Sequence, residues 1–197
     1  MTKRILLALL LLTATAFAQG RVDCNVLDSH ILRRAIRYCV LLPDSYDKSP
    51  GERYPVLYFL HGLGDNEQTL INTGAWDIVE SLRREHKISD FLIVSPQGDH
   101  TFYINSADGD FRYSDFFLKE FMPFIERKYR VRAGRKYRGI TGMSMGGYGA
   151  LRFAFAYPAL FGSVSAQSAA LITESRQEVN EELSNESPLG EMLGDVF

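Results

Sequence analysis

The chain has 197 residues, enough for one domain and short for two of ordinary size. With 46% hydrophobic residues, 23% charged residues and 16 glycines, it can bury one sizeable core. A formal net charge of −2 sets it apart from strongly basic proteins and gives no electrostatic reason for a nucleic acid or an anionic membrane surface as partner.

Residues 1–18 read as a signal peptide. Lys3 and Arg4 give a positive start, Ile5 to Leu12 is an unbroken apolar run, and Ala16-Phe17-Ala18 is a small-residue cleavage pattern. The apolar stretch ends at Ala18, short of the roughly 20 residues that a membrane-spanning helix needs. Cutting before Gln19 leaves residues 19–197 as one domain without a membrane span, secreted or periplasmic. In such an oxidising compartment Cys24 and Cys39 can pair, since both fall on facing strands of one expected hairpin; two buried thiols are the other reading.

That hairpin is expected over Val22 to Leu27 and Ala35 to Leu42, with Leu32-Arg33-Arg34 near its turn. Ile36, Tyr38, Val40 and Leu42 alternate on one face, the signature of a half-buried strand. A polar loop with two prolines runs from Pro43 to Tyr54. Val56 to Leu60 and Phe91 to Val94 are short, continuous apolar runs, which suit strands buried on both faces of a parallel sheet. Between them, Trp76 to His86 reads as a helix, and a loop follows from Pro96 to Asp110. Ser114 to Tyr129 reads as a second helix with Phe117, Phe121, Phe124 and Ile125 on one face and a kink or boundary at Pro123. Tyr137 to Thr141, Met145 to Tyr157 and Phe161 to Ser168 complete a strand, helix, strand sequence, and Thr173 to Glu186 is polar and acidic. A hairpin leading into alternating strands and helices implies a mixed, mostly parallel sheet with helices on both faces.

Two motifs carry chemistry. Gly142-Met143-Ser144-Met145-Gly146 is a G-x-S-x-G placed between an expected strand and an expected helix. A strand turning sharply into a helix exposes its serine on a strained backbone, and Gly142 and Gly146 leave room for the turn. Ser144 is the candidate nucleophile, at a helix end where free N–H groups favour negative charge. The second motif, His61-Gly62-Leu63-Gly64-Asp65, directly follows the strand ending at Leu60. Acyl transfer through a tetrahedral intermediate needs two N–H donors aimed at the oxyanion. The amides of Leu63 and Met145 are the candidates, with Gly62 allowing close approach of the backbone. The ring of His61 reads as structural, hydrogen-bonded beneath this loop. No H-E-x-x-H or paired Cys/His spacing points to a metal, and no phosphate-binding or dinucleotide glycine pattern follows a strand, so no cofactor is expected.

These segments resemble the putative-esterase family of α/β hydrolases, which includes esterase D (S-formylglutathione hydrolase), feruloyl and enterochelin esterases and secreted mycolyltransferases. The resemblance is carried by the strand followed by HGLGDN, the Trp-containing helix, the buried FLIVSP strand, Tyr103-Ile104-Asn105 and the strand leading to GMSMGGYGALRFAFAYP, roughly Ile36 to Ser168. It implies an α/β-hydrolase fold and an exported serine carboxylic-ester hydrolase that forms an acyl-enzyme on Ser144, with Leu63 and Met145 as oxyanion amides. The substrate would be a small ester or an acylated sugar. It also implies that the loop around Tyr103 lines the acyl pocket; a packed loop aromatic is the other reading of that residue. An acyltransferase of the mycolyltransferase type would use the same groups, and a catalytically inactive fragment that binds glycan or lipid is the non-enzymatic alternative.

The family's acid and histidine come from later strands. The four histidines here, His30, His61, His86 and His100, all precede Ser144. The expectation is an incomplete domain, lacking the C-terminal strands and with little activity as it stands; His100, in a loop after a sheet strand, is the one local alternative as base.

Overall fold

The computed structural model describes residues 20–171. The expected signal peptide and the polar segment from Thr173 lie outside these residues.

The expected hairpin forms and is longer than its sequence signature. Strands β1 (Arg21–Ser29) and β2 (Arg34–Leu42) pair antiparallel across nine residues each, with Leu27 opposite Ile36. The same register sets Cys24 opposite Cys39, and a disulfide joins them. Arg33 takes a φ of 53° at the turn. The turn is tied down from a distant helix: Glu120 accepts from the Ser29 hydroxyl at 2.6 Å and from the His30 N–H at 2.8 Å.

β2 corrects one expectation. Ile36, Tyr38, Val40 and Leu42 are fully buried, as their alternation predicts, but so are Cys39 and Leu41 on the opposite face. The strand is not an exposed-face strand because it lies inside the sheet, and its second face meets Phe59, Trp76 and Ile93.

The chain continues through a single helical turn α1 (Ser45–Lys48), β3 (Val56–Leu60), a turn α2 (Thr69–Asn72), α3 (Ala75–Arg84) and β4 (Leu92–Pro96). A helical segment then runs from α4 (Tyr113–Asp115) through a π-helical stretch, Phe116–Phe121, into α5 (Met122–Lys128). After a 3-10 turn, Arg135–Tyr137, come β5 (Arg138–Met143), α6 (Met145–Ala156) and β6 (Ser163–Gln167). The sheet order is β1-β2-β4-β3-β5-β6. β2 joins β4 antiparallel, and β4, β3, β5 and β6 are mutually parallel neighbours.

The boundary expected at Pro123 is real. α5 begins one residue before that proline, whose missing N–H cannot continue the preceding helix, and the turns before it widen to the π form. Widening also changes which side chains face inward. Phe116, Phe117 and Phe121 are all fully buried, whereas Phe124 is half-buried against the edge of Tyr38. Phe117 stacks on Phe153 of α6 at 4.7 Å and meets Tyr58 of β3 edge-on at 5.5 Å. Such pairs add about 0.5–1.5 kcal/mol each beyond the area they bury. This aromatic layer covers one face of the sheet, and a smaller cluster around Trp76 covers part of the other. Among the described residues no helix is long and apolar enough to cross a membrane.

Candidate active site

β5 ends at Met143 and α6 begins at Met145, so Ser144 is the single residue between strand and helix. Its φ is 52° and its ψ −118°, a region that non-glycine residues rarely occupy. Holding it there costs of the order of 1–3 kcal/mol, which neighbouring contacts must offset. The two motif glycines show how tight the turn is. A Cβ on Gly146 would stand 1.9 Å from the Leu60 carbonyl oxygen, and one on Gly142 would stand 2.3 Å from that of Gly146.

A brace that the sequence did not disclose holds the turn from the far side. The Ser144 N–H donates to the Gln167 carbonyl at 2.9 Å, and the Ser144 carbonyl accepts from the Ala170 N–H at 3.1 Å. Gly147 permits this approach, since a Cβ there would lie 3.0 Å from the Ala169 Cα. The only hint was a strand ending near residue 168; backbone pairing leaves no side-chain signal to read.

The loop after β3 runs across Ser144. A Cβ on Gly62 would stand 3.7 Å from the Cβ of Ser144 and 3.2 Å from a carboxylate oxygen of Asp65. Among the described residues the N–H groups of Leu63 and Met145 have no hydrogen-bond acceptor. Met145 opens α6, where the first turn has no intrahelical partner for its amides.

His61 is fully buried beneath this loop, and both of its ring nitrogens are engaged. Nε2 accepts from the Gly98 N–H at 2.8 Å, so Nδ1, 2.8 Å from the Gly62 carbonyl oxygen, carries the proton. Burial holds the imidazole below its ordinary pKa, against the opposing pull of the Gly62 carbonyl and the carboxylates of Asp65, Asp99 and Glu67. The ring is a neutral structural link with no nitrogen left for Ser144.

Tyr103 is also fully buried. Its ring fills a slot between Gly98 and Gly149, where added Cβ atoms would come within 2.6 and 2.7 Å of it. Its hydroxyl donates to the His61 carbonyl at 2.9 Å. Of the two readings open to this residue, burial supports the packed loop aromatic. His30, His86 and His100 are exposed, and among the described residues no histidine is hydrogen-bonded to Ser144. A cavity of about 490 Å³, lined by Asp44, Glu80, Arg83 and Asp90 among others, contains none of these site residues.

A family model described as Putative esterase matches residues 29–191. An esterase of Mycobacterium tuberculosis is 34% identical over 135 residues, which cover 66% of this chain and 28% of that protein. An endo-1,4-beta-xylanase/feruloyl esterase of Xylanibacter ruminicola is 32% identical over 130 residues, covering 62% of this chain and 18% of that one. Among solved structures, a ferulic acid esterase superposes with a TM-score of 0.72 at 34% identity, covering 77% of this chain and 60% of its own. The chain thus spans under two thirds of the length of these relatives. The mixed sheet, its strand order and this superposition are those of an α/β-hydrolase fold.

Proposed function

This chain belongs to the putative-esterase family, and we propose that Ser144 is the nucleophile of a serine carboxylic-ester hydrolase. The observation that carries the reading is the backbone of Ser144, strained, braced by the segment after β6 and crossed by the Gly62 loop, with the Leu63 and Met145 amides left without an acceptor among the described residues.

In the reaction this site supports, the Ser144 hydroxyl oxygen attacks the ester carbonyl carbon and gives up its proton to a base. The carbonyl oxygen becomes an oxyanion and takes hydrogen bonds from the Leu63 and Met145 amides, a type of stabilisation worth about 2.7–4 kcal/mol per donor in related chemistry. Collapse breaks the ester C–O bond, and the leaving alkoxide takes up a proton as the alcohol departs. Water then attacks the acyl-serine, releasing the acid and restoring the hydroxyl. The names of the bacterial and solved relatives favour hydroxycinnamoyl esters such as ferulate as the acyl class. The Cys24–Cys39 disulfide suits an oxidising compartment and so supports export by the signal peptide over residues 1–18.

No histidine follows Ser144 in the sequence, and none is bonded to it among the described residues. A serine without a base is a weak nucleophile. Unaided turnover by residues 19–197 is therefore expected to be slow, and free imidazole is expected to raise it by standing in for the base. The test is hydrolysis of p-nitrophenyl acetate and methyl ferulate with and without imidazole, corrected for the reaction of imidazole alone. A rate that imidazole raises in the parent protein and not in Ser144→Ala supports the reading. Equal corrected rates in the two proteins overturn it.

A further inference from the structure

We infer that Tyr103 is a positioning residue for the oxyanion site, a strut that fixes the loop after β3 against α6. The inference rests on the reading of Ser144, Leu63 and Met145 given above and extends it.

The two amides proposed to meet the oxyanion belong to different elements. Met145 is the first residue of α6, and Leu63 lies in the loop that leaves β3 at Leu60. Both can serve one oxygen only if those elements are held to within about half an ångström of a fixed spacing. Tyr103 contacts both. Its hydroxyl donates to the carbonyl of His61, two residues before Leu63. The base of its ring packs against Gly149, one turn into α6 from Met145. Its own carbonyl accepts from the Ser114 hydroxyl at 2.8 Å, and Arg152 of α6 donates to that same hydroxyl oxygen at 3.1 Å. The hydroxyl end of the ring meets Gly98, whose N–H donates to the ring of His61.

The fold accommodates this residue at evident cost. Tyr103 has a φ of 59°, and Phe102 before it a φ of 49°. Non-glycine residues seldom adopt such angles, and they persist where surrounding contacts over-determine them. Besides the rings of His61 and Tyr113, the neighbours of the Tyr103 ring include two glycines, Gly98 and Gly149, at which any side chain would collide with it. A buried tyrosine needs some acceptor for its hydroxyl. Here the acceptor is the carbonyl at the root of the oxyanion loop, so the ring carries the position of α6 to that loop.

The test uses p-nitrophenyl acetate turnover with added imidazole, read as kcat and KM separately, beside the thermal midpoint. Tyr103→Phe keeps the ring and removes the bond to His61. It is expected to lower kcat by about tenfold, less than outright loss of an oxyanion donor, with KM within about twofold of the parent. Ser114→Ala cuts the other end of the strut and is expected to lower kcat in the same sense with KM unchanged; it also serves if Tyr103→Phe does not fold. Parent-like kcat in Tyr103→Phe, in a protein whose turnover depends on Ser144, overturns the strut alone. A raised KM at constant kcat also overturns it, because it would mean that Tyr103 acts on substrate binding. Turnover in the parent that does not depend on Ser144 overturns the functional reading, and the strut with it.

Discussion

Gly146 is the residue at which the turn around Ser144 tolerates least. A methyl there must displace the Leu60 backbone, on the strand that precedes the Gly62 loop. Gly146→Ala is expected to destabilise the fold by about 3 kcal/mol or more, at the upper end of overpacking costs, measured by urea unfolding. His61 gives a second residue-scale expectation. Its folded-state pKa lies below the ordinary 6.5, so below that pH the unfolded chain binds a proton that the folded chain refuses. Stability should therefore fall as pH drops through 6.5, by at most about 1.4 kcal/mol per pH unit from this group. Unfolding free energies of His61→Gln between pH 7.5 and 5 should show a shallower fall than the parent, and parallel curves would contradict the assignment. The sharp strand-to-helix turn at Ser144 was legible in the sequence because such a turn needs small residues at fixed spacing, here Gly142 and Gly146. The burial of Tyr103 was not, because the glycines that form its slot are Gly98 and Gly149, distant in sequence and brought together only by the fold.

At the scale of elements, β3 and β4 were legible because each is a short apolar run bounded by turns. β4 was shifted by only a residue or two and β3 matched its run. Alternation in β2 revealed one buried face; the burial of Cys39 and Leu41 depends on Trp76 of α3 and could not be read from that strand alone. The pairing of Cys24 with Cys39 likewise waited on the register of the hairpin. Pro123 marked a boundary correctly, while the π-helical widening before it, which buries Phe116 and leaves Phe124 partly outside, follows from packing against Tyr58 and Phe153. The contact between Glu120 and the hairpin turn is another long-range feature without a local signal. Burial raises the pKa of Glu120, but the hydrogen bonds from Ser29, His30 and Ile31 outweigh that and leave it lowered. Glu120→Ala should cost about 1–2 kcal/mol and speed amide hydrogen exchange at residues 29–32, with the β3 amides unchanged.

Across the whole molecule, the candidate site residues collect where the parallel strands end. The loop after β3 brings Gly62 and Leu63, the loop after β4 brings Tyr103, β5 delivers Ser144, and the segment after β6 braces it. Open α/β sheets place ligands at this edge. A chain that spans 60% of the solved ferulic acid esterase still contains the elements that present the serine and the two amides. Acylation chemistry can then be tested apart from full turnover. The most direct measurement is covalent labelling with an alkyl fluorophosphonate in the presence of imidazole, followed by digestion and mass spectrometry. The account predicts an adduct on Ser144, formed faster with imidazole and absent from Ser144→Ala. An adduct on another residue, equal labelling of Ser144→Ala, or no adduct on Ser144 with imidazole present would contradict it.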